Sequence, residues 1–461
     1  MSVEKEKEIE IEQEQEKEKE QEKKIEIEQE QEKEKEKEKE KENEKEKEKE
    51  KEINQEIEFD QTDPELITKT IKLVAIQVPA QKCHLVMSKL RKNVLKRAKN
   101  KSVIDSQKKG YKLVLLKETI TNKNTLEGLP ERTIKFIKSL EDHEILIHEL
   151  LVGYNELSPR EILTEILPEN CDVPSSFETV GTIAHINLHK EQLPYKYIIG
   201  KVLFDKNKHI KTVVNKIETI SNEFRVFPME VLHGDPNLET IVNSDKIKFK
   251  LDFSKVYWNS RLGHEHSLLV ELFQKQDLIC DMFCGIGPFV IRAAKKGCTV
   301  NANDKNPVSI KYLKENCKIN KVNQFVSIYN LDAREFILKI FQTWKQNMQL
   351  LNAHKKIHFV MNLPKISITF LDVFKKAFSL ISFQSDPEIQ FWVHCYFFIN
   401  VDQQESETQK GVEKYLDSKI EIFDIKFVRS VSPSKDMVRI SFLIPHQLII
   451  QKGKHRKLSN N

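Results

Sequence analysis

From Asp277 onward, short apolar runs and amphipathic stretches take turns along the chain. The runs are "DLICDMF", "CTVNAND", "QFVSIYNLD", "KIHFVMNLP", "EIQFWVHCYFF", "IEIFDIKFV" and "DMVRISFLI". Between the first five lie "GPFVIRAAKK", "NPVSIKYLKENCKIN", "AREFILKIFQTW" and "KISITFLDVFKKAF", whose apolar residues recur at helical spacing. Strand–helix alternation with short connections predicts a doubly wound α/β sheet with helices on both faces. The last two strands are joined across "RSVSPSKD", too short for a parallel crossover, so the seventh strand should run antiparallel. In the first helical stretch, Pro288 is expected to open the helix.

Upstream the pattern differs. Residues 60–168 mix apolar strands ("IKLVAIQV", "YKLVLLKETI") with a basic segment, "VMSKLRKNVLKRAKN", that reads as a helix. The turn formers of "LPENCDVPSSFE", 167–178, read as a linker. Residues 178–255 read mostly as strand: "VGTIAHINL", "YIIGKVLF", "KTVVNKIETI", "RVFPMEVLHG" and "KIKFKLDF". The organisation expected is a charged tail at 1–58, a small α+β domain at 59–170, a β-rich middle domain at 175–255 and the α/β domain at 256–461.

Charge changes this picture in one respect. Residues 1–58 hold 26 Glu and 15 Lys and no Asp or Arg, a net of −11, whereas the whole 461-residue chain carries +4, so the remainder carries +15. The tail has almost nothing to bury and should stay disordered. It has neither the apolar core of a secretory signal nor the Arg-rich, acid-poor character of a transit peptide. The basic body fits an anionic partner, nucleic acid before membrane, and no run of eighteen apolar residues exists to span one. Seven scattered cysteines without a CxxC pair read as reduced thiols of an intracellular protein.

In open α/β sheets ligands bind outside the carboxyl ends of the strands. The first strand ends "DMFCGIGPF", where Gly285 and Gly287 allow a tight turn and close approach of a ligand. A dinucleotide fingerprint needs Gly or Ala three residues after Gly287, and Val290 stands there. At the second strand end Asp304 can accept from ribose hydroxyls, with Asn306–Pro307 as helix cap and first helical residue. At the third, Asp332 can accept from an adenine amino group or simply cap a helix. At the fourth, Asn362 precedes Leu363 and Pro364, so an amide stands at the mouth of the same pocket. Together these ends describe a nucleoside site.

The segments "FSKVYWNSRLGHEHSLLVELF", "CDMFCGIGPFVI", "NDKNPVSIKYLKEN", "LDAREF" and "VMNLP" resemble, in this order, the tRNA (guanine-37-N1)-methyltransferases of the eukaryotic and archaeal type. "VGTIAHINL" and "FRVFPMEVLHGD" resemble that family's middle domain. The resemblance implies a Rossmann-like class I methyltransferase sheet, S-adenosyl-L-methionine as cofactor, and tRNA as partner through the N-terminal domain. A monomer in cytoplasm and nucleus, with a mitochondrial pool, is also implied. It assigns Glu265 as the base that removes the guanine N1 proton and Arg225 as the donor to O6, with Asn362 and Pro364 at the target base. It adds His266, Asp281, Phe283, Lys305 and Ala333 to Gly285, Gly287, Asp304, Asp332 and Asn362 in the cofactor site, and no metal. The chain departs from relatives at "WNSRLGHEH" and at Cys284, keeping the polar groups the chemistry needs.

Other readings make distinct demands. An amino-group methyltransferase wants a second proline and an aromatic ring after Asn362, where Leu363–Pro364–Lys365 stands, so a ring nitrogen or carbon of an RNA base fits better. A nicotinamide oxidoreductase conflicts with Val290 and the antiparallel last strand. A non-catalytic RNA-binding protein has no need of Glu265, Asp304, Asp332 and Asn362 together. The closing "QKGKHRK" adds basic charge that can meet tRNA phosphate.

Overall fold

Strand–helix alternation in the second half is realised in the computed structural model, which describes residues 67–97, 100–174, 176–217, 226–381, 388–402 and 405–450. The tail at 1–58, Arg225 and the closing "QKGKHRK" lie outside the described residues. The chain divides into two compact units, 1–175 with 189–202, and 176–188 with 203–461.

The first unit holds an antiparallel sheet of β1 (Thr68–Pro79), β2 (Val103–Asp105), β3 (Tyr111–Leu115) and β4 (Glu144–Gly153), in the order β2-β3-β1-β4. Alternate residues of β1 feed two cores, Val74, Ile76 and Val78 on one face and Leu73 and Ala75 on the other. The expected helix over "VMSKLRKNVLKRAKN" is shorter than its charge pattern implied. The helix runs Cys83–Leu90, Arg91 leaves it at a φ of +45°, and Val94 bridges to Leu116 as extended chain.

In the second unit β5 (Glu178–Val180), β6 (Ile183–Ile186), β7 (Thr212–Lys216) and β8 (Met229–Gly234) form one sheet in sequence order, and β9 (Glu239–Ser244) pairs with β10 (Ile247–Asp252) as a hairpin. Gly181 breaks "VGTIAHINL" into two strands. Its φ is +59°, and a Cβ there would stand 2.1 Å from Thr240 Oγ1. "YIIGKVLF" is not the strand expected but part of the helix Lys196–Lys206, whose residues up to Val202 belong to the first unit. Ile198, Ile199, Val202 and Leu203 are buried, which is the i, i+1, i+4, i+5 spacing of one helical face.

The remaining strands are β11 (Leu278–Asp281), β12 (Thr299–Asn303), β13 (Val326–Tyr329), β14 (Lys356–Asn362), β15 (Gln390–Asn400), β16 (Ile422–Ser432) and β17 (Lys435–Leu443). They form a seven-stranded sheet ordered β13-β12-β11-β14-β15-β17-β16. The first five pair parallel, and β17 runs antiparallel to both its neighbours, as the short final connection required. Two cores cover the faces, one containing Leu269, Phe273, Val360 and Tyr396, the other Phe336, Phe341, Phe359, Phe374 and Phe391. The helix after β11 starts at Val290, two residues later than Pro288. All seven cysteines are free thiols. Among the described residues no helix is long and apolar enough to cross a membrane.

Candidate active site

Four parallel strand ends converge, and their loops are tied together by backbone and amide hydrogen bonds. Met282 N–H donates to the Val360 carbonyl at 3.0 Å, and Cys284 N–H to that of Asn303 at 2.8 Å. The Asn303 amide donates to the carbonyls of Met282 and Leu331 and accepts from Leu331 N–H at 3.0 Å. Asn330 donates to the carbonyls of Asp304 and Lys305 at 2.7 and 3.0 Å. The rim is thus fixed before any ligand arrives, which lowers the ordering cost of binding.

Within this rim the two glycines divide their tasks. Gly285 has a φ of +52°, and a Cβ built on it meets nothing within 4 Å, so the loop faces open space there. Gly287 has a φ of +97°, and its Cβ would stand 2.5 Å from Leu313 Cδ1, so it serves helix packing. Asp304 spends Oδ2 on Gly285 N–H and Oδ1 on Asn306 N–H, both at 2.8 Å. Each oxygen keeps a lone pair for a hydroxyl.

Among the described residues, the buried polar atoms without a partner include Asp281 Oδ2, His266 Nδ1 and Arg439 Nε. Asp281 is 0% exposed; Oδ1 accepts from Phe283 N–H at 3.3 Å and Oδ2 is unsatisfied. Burial pushes its carboxyl up to about 8, and Asp304 adds to the shift. His266 Nδ1 is likewise unpaired, its ring set edge-on to Phe289 with centroids 4.7 Å apart. Burial pushes that imidazole down to about 3, so it is neutral. An orphaned carboxyl oxygen, an orphaned imidazole nitrogen and the space before Gly285 fit a nucleoside that carries positive charge.

Glu265 stands in the first turn of the helix Gly263–Glu271 and is 6% exposed. Its Oε1 accepts from Tyr396 Oη at 2.9 Å and from Arg439 Nη1 at 2.7 Å. Lys426 Nζ lies 4.0 Å from Oε2. Arg439 also donates from Nη2 to Asp424 Oδ2 at 3.0 Å. The register explains the cluster, because Tyr396 sits opposite Arg439, and Arg439 opposite Lys426. Burial keeps the Tyr396 hydroxyl protonated, reinforced by the Glu265 charge, so it is a donor. Tyr396, Lys426 and Arg439 had escaped the sequence reading, although a lone arginine inside "DMVRISFLI" signals a buried anion opposite it.

Two residues past the end of this helix, Phe273 packs on the rings of His358 and His394. His358 Nε2 lies 3.1 Å from Asp277 Oδ2, His358 Nδ1 lies 3.0 Å from His394 Nε2, and His394 Nδ1 lies 2.9 Å from Ser441 Oγ. With both imidazoles neutral through burial, only one chain of donors satisfies every atom: Ser441 to His394, His394 to His358, His358 to the Asp277 carboxylate.

The other expected residues are distributed around this frame. Asp332 caps the helix Ala333–Gln346, accepting from Arg334 N–H at 2.9 Å, and Ala333 is buried behind it. Phe283 packs edge-on to Phe370, and Lys305 is exposed. Asn362 ends β14, half-buried and in register with Tyr396. Pro364 lines a cleft of 380 Å³. Arg225 is the one residue of the expected set without a described position.

Comparison with known proteins bears on this arrangement. The family model for the TRM5/TYW2 methyltransferase domain matches residues 240–378, and that for the TYW2 N-terminal domain matches 159–237. The tRNA (guanine(37)-N(1))-methyltransferase of Phytophthora infestans (strain T30-4) is 40% identical over 395 residues, 84% of this chain and 92% of that protein. The enzyme of the same name from Schizosaccharomyces pombe (strain 972 / ATCC 24843) is 38% identical over 421 residues, 85% and 95% of the two chains. Trm5b from Pyrococcus abyssi superposes with a TM-score of 0.55 at 25% identity, over 80% of this chain and 98% of that one. In fold the chain also matches aTrm5 from its complex with tRNALeu, TM-score 0.56 at 22% identity, over 81% of this chain and 100% of that one.

Proposed function

The chain belongs to the tRNA (guanine(37)-N(1))-methyltransferase family, and we propose that it methylates guanosine 37 of tRNA at N1 with Glu265 as the base. S-adenosyl-L-methionine supplies the electrophilic methyl group on its sulfonium. Gly285, Asp281, His266, Asp304, Asp332 and Asn362 hold the cofactor, with Phe283, Lys305 and Ala333 framing it and Gly287 shaping its loop.

Guanine N1 carries a proton, and its electron pair belongs to the ring amide, so attack on the methyl group requires a base to take that proton. The observation that carries the assignment is the asymmetry at Glu265. Oε1 is held by Tyr396 and Arg439, while among the described residues Oε2 has only Lys426 at 4.0 Å. One oxygen fixes the carboxylate and the other is left to accept N1–H. As the proton leaves, charge gathers on O6, which needs a donor; Arg225 takes that role, and the Asn362 amide with Pro364 positions the base plane. Residues 59–170 act as the tRNA-recognition domain, ahead of the middle domain at 175–255 and the catalytic domain at 256–461. Action as a monomer in cytoplasm and nucleus, with a mitochondrial pool, completes the reading; sedimentation and cell fractionation test it.

The direct experiment incubates labelled S-adenosyl-L-methionine with tRNA transcripts carrying G or A at position 37 and maps the modified base. Label at N1 of G, and none on the A transcript, is the expected result. Glu265→Gln should lower the single-turnover rate by about 10²- to 10⁴-fold with cofactor affinity retained. An unchanged rate removes Glu265 from the base role.

A further inference from the structure

Beyond Asn362 the edge of the sheet carries a second concavity. In the order β11-β14-β15-β17, Gly285 and Asp281 belong to the end of β11 and Asn362 to the end of β14. On the far side of Asn362 opens the 380 Å³ cleft, lined by Pro364, Lys365, Ile368, Phe397, Phe398 and Lys435 among others. Because β17 is antiparallel, its first residue Lys435 arrives at this edge, opposite Asn400 at the end of β15.

The lining has the character of a nucleotide site. Ile368 and Phe397 give an apolar floor, and Phe398, which alternates to the other face of β15, is 37% exposed at the mouth. Lys365 and Lys435 are exposed, and among the described residues neither has an ion-pair partner. Ligand pockets span roughly 300–1,000 Å³, so this one has room for a single nucleotide and not for a helix. The wall is rigid: Ile366 and Ser367 N–H both donate to the Leu363 carbonyl, at 2.9 and 2.8 Å, and Ser367 Oγ donates to the Tyr396 carbonyl. Leu363 alone separates Asn362 from Pro364, two backbone steps spanning at most about 7 Å, so whatever fills the cleft lies beside the target base.

We propose that this cleft takes a nucleotide adjacent to guanosine 37 in the anticodon loop, its phosphate on Lys365 and Lys435 and its base against Phe398. Unstacked bases are held on aromatic side chains while lysines neutralise the backbone. Such a grip keeps the loop open at the methylated base. The proposal rests on the methyltransferase reading above and names a part of the RNA that reading leaves free.

The test is steady-state methylation of an anticodon stem-loop by the full chain with Lys365→Ala, Lys435→Ala and Phe398→Ala. Each lysine variant should raise KM for the RNA about three- to tenfold and reduce the slope of log KM against log salt by about 0.7, with cofactor affinity unchanged. Phe398→Ala should raise KM at least about fivefold. Stem-loops abasic at position 36 or at position 38 identify the occupant, because with the correct abasic substrate Phe398→Ala costs nothing further. Wild-type KM in all three variants, or a Phe398→Ala effect that persists on both abasic substrates, overturns the proposal. Failure of the wild-type chain to methylate any tRNA overturns the reading beneath it instead.

Discussion

Asp281→Asn separates what the cofactor loop costs the fold from what it contributes to binding. The carboxyl is wholly buried, has one hydrogen bond, and its pKa is raised from 3.8 to about 8. A raised pKa means that the folded state holds the proton more tightly than the unfolded chain. The proton's contribution to stability is therefore full below pH 3.8 and is lost progressively as pH rises to about 8. Asparagine mimics the neutral acid: its carbonyl can accept from Phe283 N–H, and it does not titrate. Between pH 5.5 and pH 8 the wild-type chain should lose about 3 kcal/mol relative to the variant. Denaturant unfolding of the cofactor-free proteins at several pH values measures the difference.

The same variant should bind S-adenosyl-L-methionine more weakly, because the orphaned Oδ2 is lost as a partner for its positive charge. Wild-type binding at pH 7 should release close to one proton, visible as a dependence of the calorimetric heat on buffer ionisation enthalpy. A stability difference that stays flat with pH, together with no proton release, would refute the assignment of Asp281 as a buried neutral acid awaiting a cation.

Two further perturbations probe neighbouring parts of the site. Arg439→Met strands the Glu265 charge in a buried setting and should cost about 3–5 kcal/mol by chemical denaturation; adding Glu265→Gln should restore part of the loss, and strict additivity would show that the pair is uncoupled. Gly285→Ala enters open space and should cost the apo fold about 1 kcal/mol while weakening cofactor binding. Gly287→Ala must displace Leu313 and should lower stability by about 2 kcal/mol or more; equal effects of the two on folding would erase the division of labour between them.

The parts of the structure that sequence revealed are those written in short-range pattern. Gly285, Asn306–Pro307, Asp332 and the antiparallel last strand follow from turn chemistry, caps and connection lengths, which act over a few residues. "YIIGKVLF" is ambiguous because a mostly apolar stretch of eight residues fits either a strand or a helix, and only the burial of Ile198, Ile199, Val202 and Leu203 on one face decides. In "VMSKLRKNVLKRAKN" the charges continue past Arg91, where the backbone turns, so the charge pattern overstates the helix.

The clamp on Glu265 could not be found that way, since it is made by register. Glu265 and Arg439 are separated by 174 residues, and Tyr396 by 131. They meet because β15 and β17 pair with Tyr396 against Arg439 and because the helix Gly263–Glu271 packs over that pair. A slip of one residue in either strand would turn one of the two donors to the opposite face. The same face carries His358, His394 and Ser441 as a buried string of hydrogen bonds that tolerates no slip either. Two polar layers on one face thus penalise every neighbouring register, and Glu265 is only as well positioned as that pairing is unique. Polar residues in these strands serve the chemistry through the fold: they fix which side chains face the helix, and so where Oε2 of Glu265 points.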